Sequence, residues 1–385
     1  MKKLLSFITI SLVLLACNDK MPEEYGLITN NPKYYHDAVD KLTEVIIHDI
    51  FSPPVASRIY SYATLASYEA MVHSDGRFQS MEGQFNDFKD VPQPKANQEY
   101  CYPLASLKAF LLVAKSQTFT IDKYDEFENK LYQDFKAAGV PSAVFERSLT
   151  YGEAIANHVM AYAKGDNYPQ TRGLRYTVKN EPGLWVPTPP QYGDAMEPYW
   201  MTIRPFLLDS SRQFTPPPPP LYNLDKNSLF WKELMEVYDI SKTKTEEQES
   251  MAWFWDDNAF VMNVQGHVMF ANKKMTPGGH WLAIAKTALK DQKKSFIESA
   301  EAYFLVSTAL HEAFICSWEE KYRSEKIRPE TVINAEFDPD WVPYLQTPPF
   351  PEYTSGHSTI SAASAETLTG LLGDNYGFTD STEYA

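Results

Sequence analysis

Six residues separate Lys321 from the pair Arg328-Pro329, and 25 more lie between that pair and the tripeptide Ser355-Gly356-His357. In that order the chain offers two fixed cations, a helix-opening turn and a titratable imidazole. A guanidinium can hold two oxygens of one anion at once, whereas an ammonium acts as a point charge. Gly356 lets backbone N–H groups come close to an anion, and the first turn of a helix adds the positive end of its dipole. His357 beside the bound group can exchange a proton near neutral pH. The set suits a tetrahedral oxyanion such as phosphate or vanadate. Without the tripeptide, Lys321 and Arg328 would read as a solvated helix end among Glu319, Glu320, Lys326 and Glu330; with it, an anion site is the better reading.

The elements that must position these groups are legible around them. Residues 296–322 contain neither Pro nor Gly and are apolar on more than one face, which predicts a largely buried helix. His311, Phe314, Trp318, Lys321 and Tyr322 share part of one face of it. Arg328 precedes proline, which disfavours helical backbone and predicts an extended path that can turn the guanidinium back to Lys321. Ser355 is a good N-cap for a helix from His357 to Leu372, which Gly373 can end. The small residues at 358 and 361–365 suit close helix–helix packing. Trp318 and Phe350 read equally as core or as pocket lining. His280, in Gly278-Gly279-His280-Trp281, is read as making a structural hydrogen bond rather than as a donor to substrate. His311, nearly three turns before Lys321 on the same helix, is read as supporting the site from behind or as structural. Asp256-Asp257 supply carboxylates, but no third group at suitable spacing suggests a divalent metal site.

The stretch CSWEEKYRSEKIRPETVI (316–333) followed by FPEYTSGHS (350–358) resembles the first two signature motifs of the type 2 phosphatidic acid phosphatase and vanadium haloperoxidase superfamily, and most of all its vanadium-dependent haloperoxidase-like bacterial branch. The resemblance implies that Lys321 and Arg328 bind the oxyanion, that Ser355 and Gly356 hydrogen-bond it, and that His357 is an acid–base. Trp318 and Phe350 stand where haloperoxidases of the superfamily carry a tryptophan and a phenylalanine. Thr354 stands where proline is usual. The third motif of the superfamily supplies another arginine and the histidine that ligates vanadium or attacks phosphate. Only 28 residues follow His357, and none is Arg or His, so the direct vanadium-ligand histidine is expected to be missing and the chain reads as truncated relative to its family. The expected activity is halide oxidation by hydrogen peroxide with vanadate as cofactor. The alternatives are an acid phosphatase acting on a phosphate ester at the same site, with no cofactor, and a non-catalytic surface lipoprotein.

Composition bounds the rest. The 385-residue chain has ample material for a core, and its net charge of −15 argues against a nucleic-acid partner. Lys2-Lys3, the apolar run 4–16 and Cys17 in Leu14-Leu15-Ala16-Cys17 read as a lipoprotein signal peptide, with Cys17 lipidated. The run is too short to span a bilayer. The expected location is the bacterial cell envelope, lipid-anchored, periplasmic or outer-surface. The expected organisation is a signal peptide over 1–16, a flexible tether over 17–32, an N-terminal helical region with a Pro-rich wrap over 33–225, and a helical catalytic core over 226–385. Helices are predicted over 104–117, 121–138, 226–239 and 245–272, and the fold class is all-α, a helical bundle with long Pro-rich loops.

Overall fold

Ser295 caps the N-terminus of the longest helix in a reciprocal pair with Glu298, and the following 29 residues contain no breaker. In the computed structural model, which describes residues 22–259, 261–265 and 268–380, this segment is one helix, Phe296–Ser324. In chain order the helices are α1 (Pro22–Thr29), α2 (Lys33–Asp49), α3 (Pro53–Met71), α4 (Tyr102–Gln117), α5 (Asp125–Ala137), α6 (Ser142–Lys164), α7 (Tyr168–Thr171), α8 (Leu229–Thr243), α9 (Glu246–Phe254), α10 (Pro277–Asp291), α11 (Phe296–Ser324), α12 (Pro329–Glu336) and α13 (Gly356–Leu372). The all-α expectation is met, with one short addition. Between α9 and α10 lies an antiparallel hairpin, β1 (Val261–Gln265) and β2 (Val268–Asn272), in the register Val261↔Asn272 and Gln265↔Val268.

That hairpin corrects the predicted helix over 245–272. The helix stops at Phe254, and Gly266, a poor helix residue, falls between two runs that pair as strands instead. A second correction concerns the tether over 17–32. Pro22–Thr29 is helical, and buried Tyr25 hydrogen-bonds Glu99 on the loop before α4. A polar composition concealed one anchoring aromatic. The proposed signal peptide and Cys17 lie outside the described residues.

The centre of the bundle is α3, buried from Pro54 to Met71 and packed against α4, α6 and α11. It is rich in Ser, Thr, Tyr and Ala, so its hydroxyls need partners. Ser61 and Thr64 bond back to carbonyls one turn earlier and across to Ser307 of α11, both at 2.6 Å, while Ser67 meets Ser106 of α4 at 2.7 Å. Small side chains allow this close approach. At Gly152 of α6, a Cβ would stand 2.3 Å from the Ala105 carbonyl oxygen of α4. One apolar core runs from Tyr25 to Leu368, so the regions expected as 33–225 and 226–385 share it rather than dividing there. A smaller cluster joins α8 to α12 through Phe230, Leu234, Val332 and Ile333, with Trp341.

The stretch 165–220 wraps the body as expected and carries only single helical turns. It is pinned by main-chain bonds at Trp185 N–H to Glu325 O (2.7 Å) and Met196 N–H to Pro349 O (2.9 Å). Among the described residues, no helix is long and apolar enough to cross a membrane.

Candidate active site

Trp318, Lys321, Arg328, Phe350, Ser355, Gly356 and His357 all line one cavity of about 950 Å³. Sequence separation hides this, and packing between α11 and α13 creates it. Ile360, Ser364 and Leu368 are the buried positions of α13, spaced one turn apart, and they lay that helix against α11. Trp281 of α10 ties the same helix by donating to Ser361 at 2.9 Å.

Lys321 is 1% exposed and stands in the last turn of α11. Its ammonium donates to the carbonyls of Pro351 (3.0 Å), Glu352 (3.2 Å) and Thr354, so it fixes the loop that leads into α13. Burial, and then the charge of Arg328, push its pKa well below the usual lysine value. Arg328 has the extended backbone predicted before proline (φ −76°, ψ 142°) and stands at the N-terminal boundary of α12 with no side-chain capping bond. Its Nε donates to the Phe350 carbonyl at 2.8 Å, and burial lowers its pKa to about 10. Neither cation has a carboxylate partner within ion-pair distance among the described residues. Both cations lie close to the Phe350 ring, whose centroid is 4.7 Å from the ammonium and 4.9 Å from the guanidinium. Phe350 also meets Trp318, with centroids 5.1 Å apart. Trp318 is therefore both core, at 1% exposure, and cavity wall, while Phe350 is half-buried lining.

Ser355 is the N-cap of α13, as predicted, its Oγ accepting from Ser358 N–H at 3.2 Å. Gly373 ends the helix. A Cβ on Gly356 would lie 3.7 Å from the Trp318 ring and 4.0 Å from Lys321 Cε, so the first turn of α13 sits directly against the lysine. His357 keeps 48% of its side chain exposed and faces Asp257, with Nε2 to Oδ2 at 3.9 Å. Desolvation lowers its pKa, partly opposed by Asp257 and Asp256.

The remaining candidates separate clearly. His311 is fully buried among the rings of Tyr62, Trp200 and Phe206, and burial pushes its pKa to about 3, so it is a neutral core residue. His280 makes structural hydrogen bonds, to Asp257 at 3.0 Å and Asp380 at 2.9 Å. Asp256 pairs with Lys274. Sequence reasoning passed over Met196, Trp341 and Asp380 as cavity residues. Each arrives from a loop, where no periodicity marks a side chain as inward-facing.

Two buried cations with no carboxylate at ion-pair distance among the described residues, and only the longer-range charge of Glu352 and Glu330, stand beside a helix N-terminus and a half-exposed imidazole; such a set can accept a tetrahedral oxyanion, with a proton donor or acceptor at its edge. The residues present fit an oxyanion cofactor: both cations are desolvated, and an anion between them would relieve their mutual repulsion.

The family described as VCPO second helical-bundle domain matches residues 301–384, which span both motifs. Among solved structures, a bacterial vanadium-dependent iodoperoxidase is 42% identical, with 91% of this chain and 83% of that chain covered at a TM-score of 0.85. The apo and holo forms of a bacterial vanadium-dependent chloroperoxidase share the fold at 15% identity, with TM-scores of 0.59 and 0.58. These cover 83% and 84% of this chain, and 78% and 77% of those chains. No curated protein matches the chain.

Proposed function

The chain belongs to the vanadium-dependent haloperoxidase family, and we propose that it binds vanadate between Lys321, Arg328 and the N-terminus of α13 and oxidises halide with hydrogen peroxide. The observation that carries this is the pair of buried cations, neither with a carboxylate at ion-pair distance among the described residues, at the opening turn of a helix. When bound, vanadate supplies a Lewis-acidic centre that activates peroxide towards a halide nucleophile. The chain's own residues bind and orient it. Arg328 neutralises the oxyanion from a fixed direction. Lys321 adds charge and holds the 351–354 loop, so that the Ser355 hydroxyl and the amides of Gly356 and His357 stay in place. His357 is placed to move protons, since its half-exposed imidazole lines the same cavity and desolvation disfavours its charged form.

Iodide is the halide to test first, because it is the most easily oxidised and because the 42%-identical relative is an iodoperoxidase. The full chain, loaded with orthovanadate, is expected to show peroxide-dependent iodination of a phenolic dye that disappears when vanadate is chelated. Absence of vanadate binding together with absence of halide-dependent turnover would refute the reading. Steady hydrolysis of p-nitrophenyl phosphate without vanadium would replace it with a phosphatase acting on the same bed.

We propose in addition that Cys17 is lipidated and tethers the protein to the cell envelope, on the strength of the Lys2-Lys3, apolar-run and Leu-Leu-Ala-Cys pattern. Cys17→Ser should move the protein from the membrane fraction to the soluble fraction. Retention of the variant in the membrane would refute the tether.

A further inference from the structure

Three consecutive residues between α9 and β1 are each gripped from outside. The Trp255 ring stacks on His280, with centroids 4.7 Å apart and planes at 25°. Asp256 pairs with Lys274 at 2.6 Å, and that ammonium also lies 4.4 Å from the Trp253 ring centroid. Asp257 takes a hydrogen bond from His280 Nδ1 at 3.0 Å. His280 is 1% exposed, and its Nε2 donates to Asp380 at 2.9 Å. A carboxylate on each ring nitrogen requires a hydrogen on each. Burial opposes that charge, but Asp257 and Asp380 outweigh it and raise the histidine's pKa.

The gripped stretch is also what touches His357. The Asp257 carboxylate stands 3.9 Å from His357 Nε2, and Asp257, Asp256 and the Trp255 backbone all favour the charged form of that imidazole. The imidazole is otherwise half exposed. Among the described residues, no set of three such side chains has the geometry to hold a metal ion.

We propose that His280 is a positioning residue for the oxyanion site: by clamping Asp257 and Asp380 and stacking under Trp255, it holds residues 255–257 against His357 and keeps that imidazole turned to the bed. The inference rests on reading that bed as an oxyanion site. A merely structural His280 would stabilise the α10 end of the bundle and leave the orientation of His357 unchanged.

The test uses the full chain with ¹⁵N-labelled histidine, in two variants. His280→Gln leaves one amide nitrogen to serve two carboxylates. Asp380→Asn releases only the outer side of the clamp. Side-chain nitrogen spectra, with the His357 signals identified by their loss in His357→Gln, are recorded beside calorimetric binding of orthovanadate and of inorganic phosphate. In the parent, His357 should show a single fixed ring environment. In both variants its signals should move towards those of a free, averaging imidazole, and both anions should bind about tenfold more weakly. His357 signals that stay in place in a folded variant overturn the proposal, whatever happens to the melting temperature. If His280→Gln fails to fold, Asp380→Asn decides by the same criterion. A parent that binds neither anion retires the reading of the bed, while the His357 spectra still decide whether His280 orients that ring.

Discussion

Lys321 and Arg328 do different work although both are buried cations. The lysine spends its ammonium hydrogens on three loop carbonyls, whereas the arginine makes one good bond, to Phe350 O at 2.8 Å, and leaves most of its fork for a ligand. Charge-assisted hydrogen bonds contribute about 1.5–3 kcal/mol each, or roughly 10- to 150-fold in affinity. Arg328→Ala should therefore weaken orthovanadate binding by about that factor while leaving the melting temperature of the anion-free protein nearly unchanged, because the cost of burying its charge offsets the Phe350 bond and the distant attraction of Glu352 and Glu330. Lys321→Met should lose affinity and stability together, since the 351–354 loop loses its anchor. Calorimetry and a thermal scan on the same two variants check both claims.

At the scale of elements, α3 carries a carboxylate with a structural task. Glu69 is fully buried and accepts from Ser80 Oγ and Met81 N–H, both at 2.7 Å, pinning the loop after α3. Burial raises its pKa from 4.5 to about 7. A carboxyl that holds its proton more tightly when folded contributes stability that is fully present below pH 4.5 and lost as pH rises to about 7. Parent protein should melt progressively lower across that interval, and Glu69→Gln, which imitates the protonated acid, should flatten the slope. Helix contact sets a second expectation. Gly152→Ala should lower the melting temperature, because a Cβ 2.3 Å from the Ala105 carbonyl forces α4 and α6 apart. That strain costs about 1–3 kcal/mol, against the roughly 1 kcal/mol that alanine gains over glycine within a helix. What could be read in advance follows the same logic. α11 and α13 were legible because Ser355, Gly373 and a breaker-free run mark them locally. The β1–β2 hairpin was not, since its apolar residues fit a helical period equally well. α1 depends on one distant partner for Tyr25, which no local pattern shows. The bed itself was legible from residue types, while the clamp on Asp257 was not, because Asp380 meets His280 from 100 positions away.

Over the whole molecule, the common core from Tyr25 to Leu368 predicts a single cooperative unfolding transition by fluorescence and circular dichroism, and a fragment beginning at residue 226 that fails to fold alone. Non-coincident transitions would show two independent bodies. The long wrap contributes to this unity in a particular way. Met196 offers its carbonyl to both Trp318 Nε1 (3.2 Å) and Tyr322 Oη (2.6 Å), and its N–H reaches Pro349. All three attachments are peptide atoms, which every amino acid but proline possesses. Exchanging Met196 for any residue but proline preserves them, but deleting one neighbour shifts the thread by a notch and unseats the tryptophan beside Lys321. Tolerance there is thus to spelling, and not to length.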